Sequence, residues 1–340
     1  MSNIASKKRE YEFDNLKALL IILVVFGHIS EYLHLKGVFL NINCVLYVFH
    51  MPLFIFISGY FSKNSSKLEE KTVKNMLIPF FIFNTIYIFM DEKIVDKNIL
   101  TPVYAYWYLL SLFFWRLFVK AINKFKIPVI LLLLASLYIG IIEEPNRFLS
   151  ISRTIAFFPY YILGYNMDEV HIEKIKGISK KITIPILIIL FVIVFNLPNL
   201  EDKIELFKCA QSFQKTGVSK FEGIKVRIFQ FVISMLISIC LINLIPKNKN
   251  WMSNIGRKTI TIYVLSPFIQ FGLTKLIEEN CVYIIGENVE TVLICVISTI
   301  LIVWICSRDI VFNTYNKIIN FIYRQVTTKD DSILGKYLQN

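Results

Sequence analysis

The tightest constraint on this chain is how its apolar residues are parcelled out. They come in blocks of about 15–20 residues, separated by short lysine-rich pieces. A helix of that length reaches across the hydrocarbon of a bilayer. The blocks are hydrophobic on every side, whereas a helix on the surface of a soluble domain keeps one polar face. Continuous apolar runs also exclude a β-barrel, whose strands alternate polar and apolar residues. With 18% charged residues and a mean hydropathy of +0.57, nothing is left over for a soluble domain. The expected fold class is an all-α integral membrane protein, a bundle of about ten transmembrane helices.

The candidate spans are 17–33, 45–62, 76–90, 104–121, 128–142, 154–168, 182–198, 228–245, 259–277 and 290–307. The N-terminal basic cluster Lys7, Lys8 and Arg9 resembles that of a signal peptide. No small-residue cleavage site follows it, so a retained first span is expected. With the N-terminus inside, 24 of the 37 Lys and Arg fall in inner segments and 12 in outer ones, Lys17 lying at the boundary. That asymmetry puts both termini in the cytoplasm. The same distribution explains the net charge of +12 without nucleic acid, because the basic residues sit where topology rules place them. The expected division is a multi-spanning domain over 1–310 and a cytoplasmic tail over 311–340.

Six cysteines include no C-x-x-C. Cys44, Cys240, Cys295 and Cys306 lie in or beside spans and are expected to pack. Cys209 and Cys281 fall in loops placed outside, where a disulfide is open to them.

Ionisable groups inside an apolar helix are costly and tend to be functional. The stretch "FDNLKALLIILVVFGHIS", residues 13–30, holds several. Lys17 and His28 are eleven residues apart, close to three helical turns, so they share one face about 16 Å apart. Asp14 falls near that face, and Glu31 lies one turn beyond His28. His50, a few residues inside the antiparallel second span, comes to a depth similar to that of His28. Metal binding by the two histidines lacks a third ligand, so no metal is expected. Arg153 opens the sixth span and Trp107 with Arg116 marks the fourth. Lys71, Lys74, Arg257 and Lys258 cluster at inner ends of spans, where they enforce topology or meet a phosphorylated ligand.

These residues lie in segments that resemble the membrane acyltransferase-3 superfamily, especially its fucose 4-O-acetylase-like branch. The resemblance runs from about 11 to 310 through "DNLKALLIILVVFGH", "FHMPLFIFISGYF", "KTVKNMLIP", "AYWYLLSLFFWRL", "SRTIAFFPYYILGY" and "NIGRKTITIYVLSPF". The family's basic residue, ten residues, then histidine is met by Lys17 and His28. Its basic-x-x-basic pair is met by Lys71 and Lys74. Where many relatives carry a histidine in the ninth span, this chain has Ser266.

The resemblance implies transfer of an acyl group, usually acetyl, from cytoplasmic acyl-CoA to a sugar hydroxyl of a cell-surface glycan or its precursor. Acyl-CoA is then a donor substrate and no cofactor is bound permanently. The expected catalytic residues are His28 as general base, or as an acyl-carrying nucleophile, and Glu31 as its partner. Lys17, Lys71, Lys74 and Arg257 are expected to hold the donor phosphates. His50, Arg153 and Trp107 are expected on the acceptor side. The implied setting is the plasma membrane, and the lysine-, isoleucine- and asparagine-rich composition suits an AT-rich bacterial genome. The residues alone leave two rivals open, a transporter or flippase and a non-catalytic scaffold of a glycan assembly complex.

Overall fold

The structure is a computed structural model that describes residues 10–33, 35–63, 70, 72–143, 147–280 and 289–327. It is helical, with no strand among the described residues. The helices are α1 (Tyr11–Tyr32), α2 (Gly37–Ser62), α3 (Val73–Met90), α4 (Trp107–Lys124), α5 (Val129–Ile141), α6 (Ile151–Asn166), α7 (Glu169–Lys176) and α8 (Lys180–Phe195). They continue with α9 (Ile204–Lys208), α10 (Lys220–Leu244), α11 (Trp251–Gly256), α12 (Thr259–Asn280), α13 (Val289–Cys306) and α14 (Asp309–Val326).

Each of the ten apolar segments lies on a helix. Among the described residues, six helices are long and apolar enough to cross a bilayer, α1, α2, α3, α10, α12 and α13, and the bent pair α7–α8 makes a seventh if counted as one span. Taken singly, the other four fall short for physical reasons. α4 carries Arg116, Lys120 and Lys124, and α5 has only 13 residues. α6 has 16 residues, and α8, also 16, joins α7 at a 90° bend. Residues 309–326, placed in the tail from sequence, form the amphipathic α14. Its Tyr315 and Ile319 are buried against the bundle, and Lys258 pairs with Asp309 at 2.6 Å.

α1 and α2 sit at the centre. α1 packs against α2, α11, α12 and α13, and α2 packs most closely against α6. Glycines set that crossing. A Cβ on Gly59 would run into the Tyr161 carbonyl, and one on Gly164 into the Phe56 carbonyl. Backbones meet directly there, the usual way helices associate where lipid removes the hydrophobic drive. At the start of α1, Gly256 lies against the Asp14 backbone. Next to it the buried Asn15 donates to Pro246 O (2.8 Å) and Asn248 O (3.0 Å) and accepts from Ser253 Oγ (2.6 Å). One asparagine thus fastens α11 to the base of α1. At the periphery, α5, α8 and α13 expose rows of Ile, Leu and Val, such as Ile188, Ile189, Ile300 and Leu301. Surfaces so apolar suit lipid, since water would expel them.

Candidate active site

Between α1, α2, α6 and the segments that cap them lies a cavity of about 260 Å³. Its lining includes His28, Glu31, His50, Trp107 and Arg153, so five residues expected at the catalytic and acceptor sites meet in one place. Val24 closes its inner side and Tyr104 forms one wall.

The His28 ring lies 4.5 Å from the Tyr104 ring, centre to centre. Its buried Nδ1 has no hydrogen-bond partner and faces Glu31 Oε2 across 3.8 Å. That gap is too long for a hydrogen bond, and a small swing of the carboxylate closes it. With Nδ1 turned to Glu31, Nε2 is the nitrogen left to the cavity. His50 is fixed differently. Its Nδ1 lies 2.5 Å from the Leu46 carbonyl, which can only accept. Nδ1 therefore carries the hydrogen and Nε2 the lone pair.

The charge around Glu31 comes largely from a segment that sequence reasoning passed over. Lys208, at the end of the short α9, pairs with Glu31, bonds Glu205 at 2.6 Å and lies 5.3 Å from the Tyr47 ring. Burial works to lower the Lys208 pKa, but Glu31 and Glu205 outweigh it and hold the ammonium above the ordinary lysine value. α9 and the residue after it are held by three hydrogen bonds, two from α6 and one from α10. Arg153 Nε donates to Lys208 O (3.3 Å), Ser152 Oγ to Cys209 O (2.9 Å) and Gln230 Nε2 to Phe207 O (2.9 Å). The Arg153 guanidinium also lies 4.9 Å from the Trp107 ring. Residues 204–209 therefore form a fixed roof over the histidines, rich in hydrogen-bonding groups.

Comparison with known proteins gives the family. The family model described as "Acyltransferase domain" (Acyl_transf_3) matches residues 10–308. The chain belongs to the acyltransferase-3 family. It is also 28% identical over 185 residues to the nodulation protein NolL of Mesorhizobium japonicum. That match covers 47% of this chain and 48% of the relative, so it spans about half the relative's length. No solved structure matches the chain.

In this acyltransferase the residues expected at the donor phosphates lie away from the cavity. Lys17 sits near the other end of α1, 2.8 Å from Asp14 and 5.6 Å from the Phe61 ring. Lys74 lies in the π-helical turn Val73–Leu77, 5.9 Å from the Tyr323 ring of α14. Arg257 bonds Asn254 at 2.7 Å, just past Gly256, which touches Asp14. Lys71 is outside the described residues. Between Lys17 and the cavity, Leu20 and Ile21 are fully buried and Val24 is 3% exposed, so the packing there is closed. Ser266 is buried on α12, one turn from Tyr263, which reaches the cavity. Cys209 is a buried free thiol, and its possible partner Cys281 is outside the described residues.

The cavity-lining residues that the sequence did not single out include Lys208, Glu205, Tyr104, Arg147 and Tyr263. All but Tyr263 come from connecting segments, whose return to the cavity no periodicity predicts. Tyr263 sat in the quoted "NIGRKTITIYVLSPF", where its helical face toward the cavity was open to inspection.

Proposed function

We propose that this membrane acyltransferase moves an acyl group, acetyl foremost, from cytoplasmic acyl-CoA to a sugar hydroxyl of a cell-surface glycan or its precursor. The observation that supports this best is the convergence of His28, Glu31, His50, Trp107 and Arg153 on one cavity. His28 Nε2 takes the proton of the acceptor hydroxyl as its oxygen attacks the thioester carbonyl. The C–O bond forms, the C–S bond breaks, and the proton passes from His28 to the departing thiolate. Glu31 stabilises the imidazolium that exists between those two transfers. Arg153, Trp107 and His50 orient the acceptor. The donor phosphates rest at Lys17, Lys71, Lys74 and Arg257, where guanidinium and ammonium groups suit phosphate oxygens.

The test uses purified protein with acetyl-CoA labelled in its acyl group and a panel of sugars. Label should move covalently to sugar with no ion gradient present. His28→Ala should lose about 10²–10⁴-fold in turnover at saturating substrates, the usual worth of general-base assistance. Retention of more than about a tenth of the rate would rule out that role for His28. A solute concentrated into vesicles without acylation would point instead to transport.

A further inference from the structure

Next to the histidine cavity lies a larger one of about 680 Å³, lined by Tyr32, Tyr87, Asp91, Asp96, Asn98 and Arg147 among others. The two are neighbours in the strict sense, since Pro102, Tyr104 and Arg147 line both. Tyr104 is the partition. One side of its ring faces His28, and the other stacks on Tyr87 at 5.5 Å with 10° between the planes. Tyr32 adds a third ring at 5.6 Å from Tyr104, and its hydroxyl meets that of Tyr87 at 2.8 Å.

This outer cavity is a built feature. Tyr104 holds a left-handed backbone, φ 52°, which costs a bulky residue about 1–2 kcal/mol. Its hydroxyl donates to Gln270 Oε1 at 2.6 Å, and Gln270 donates to the Val25 carbonyl of α1 at 3.3 Å. The segment between α3 and α4 is organised by Asn84, which is fully buried. Its amide donates to Ile99 O (3.1 Å) and Thr101 O (3.3 Å) and accepts from Val103 N (2.9 Å). Strain maintained by so many fixed contacts, beside a catalytic histidine, is the pattern of a site shaped before its ligand arrives.

The lining indicates what that ligand is. The faces of Tyr104 are taken by His28 and Tyr87, so the lining meets an occupant chiefly through the polar groups of Asp91, Asp96, Asn98 and Arg147, which suit a hydroxyl-rich molecule. The Asp91 and Asp96 carboxylates each accept one backbone N–H, from Lys93 and Asn98 at 3.0 Å, and keep lone pairs for hydroxyl donors. Two carboxylates stand against Lys93 and Arg147, so the lining favours no net charge on its occupant. The inner cavity falls at the lower end of small-molecule pockets, the size for one sugar ring, whereas the outer one is more than twice as large.

We propose that the outer cavity holds the sugar residues adjoining the one that is acylated, so that the acceptor is a neutral oligosaccharide of two or more residues. The inference rests on the reading of the inner cavity as the place where a sugar hydroxyl is acylated.

The experiment compares methyl glycosides of glucose, galactose, fucose and N-acetylglucosamine with oligosaccharides of two to four residues bearing the same terminal sugar. Purified full-length protein and acetyl-CoA are used throughout. For the terminal sugar that is acylated, kcat/KM should be at least 10-fold higher for the oligosaccharide, mainly through KM. In Asp91→Asn that ratio should fall several-fold. Saturation-transfer NMR without acetyl-CoA supplies a second readout: protons of both the terminal and the adjoining residue should receive magnetisation in the wild type. Equal kcat/KM for glycoside and oligosaccharide, or magnetisation confined to the terminal residue, would overturn the inference and leave the acyltransferase reading standing. Absence of transfer to every sugar would overturn both.

Discussion

A lysine on the roof of the cavity stands beside the proposed catalytic pair of His28 and Glu31. Glu31 is shared between Lys208, which holds it, and His28, which faces it across 3.8 Å. Because Glu31 and Glu205 keep the Lys208 pKa above its ordinary value, the ammonium persists through the neutral range and its contribution is lost only as pH rises through that raised pKa. In Lys208→Gln, Glu31 loses the ammonium that holds it beside His28, so turnover in the acyl-transfer assay should fall several-fold with the fold intact. Turnover equal to wild type would reduce Lys208 to a prop for α9. Helical period and depth bring His28, Glu31 and His50 together from the sequence, whereas Trp107 and Arg153 stood out there only as groups that mark the fourth and sixth spans. Lys208 was not legible, since its place depends on where a long connection folds back, which only the hydrogen bonds from Arg153, Ser152 and Gln230 fix.

At the scale of elements, the α2–α6 crossing carries His50 on one helix and Arg153 on the other, and it closes on glycine. Gly164→Ala places a methyl group against the Phe56 carbonyl, which belongs to rigid backbone. Overpacking of that kind costs roughly 1–3 kcal/mol. Gly272→Ala makes the useful contrast. Its Cβ would meet nothing within 4 Å, so the better helix propensity of alanine should leave stability equal or up to about 1 kcal/mol higher. Thermal unfolding in detergent, followed by a thiol-reactive dye that reads the buried Cys44, Cys240, Cys295 and Cys306, checks both. A Gly164→Ala midpoint at or above wild type would show that the crossing can relax. The apolar segments were readable as helices, but the backbone that Gly164 meets was not. The docking of α14 was not, because an amphipathic helix after the last apolar block gives no sign of the surface it meets. Only the contacts of Tyr315, Ile319 and Asp309 supply that.

For the whole molecule, we propose from the distribution of lysine and arginine that both termini and the α7–α8 bend face the cytoplasm. Ser179→Cys, at the start of α8, should be shielded from an impermeant maleimide in intact cells. Gln214→Cys, in the connection before α10, should react. The reverse pattern would invert the orientation, and reaction at both sites would break the count of crossings between them. That orientation gives new weight to the packed stretch of α1 between Lys17 and the cavity. With donor and acceptor approaching from opposite sides, as proposed, an unobstructed passage between them would be a leak for protons across an energised membrane. Leu20, Ile21 and Val24 fill that interval. On that proposal the same three side chains part for a thioester arm to reach His28 and close again behind it, acting as an insulator for the membrane potential as well as part of an enzyme.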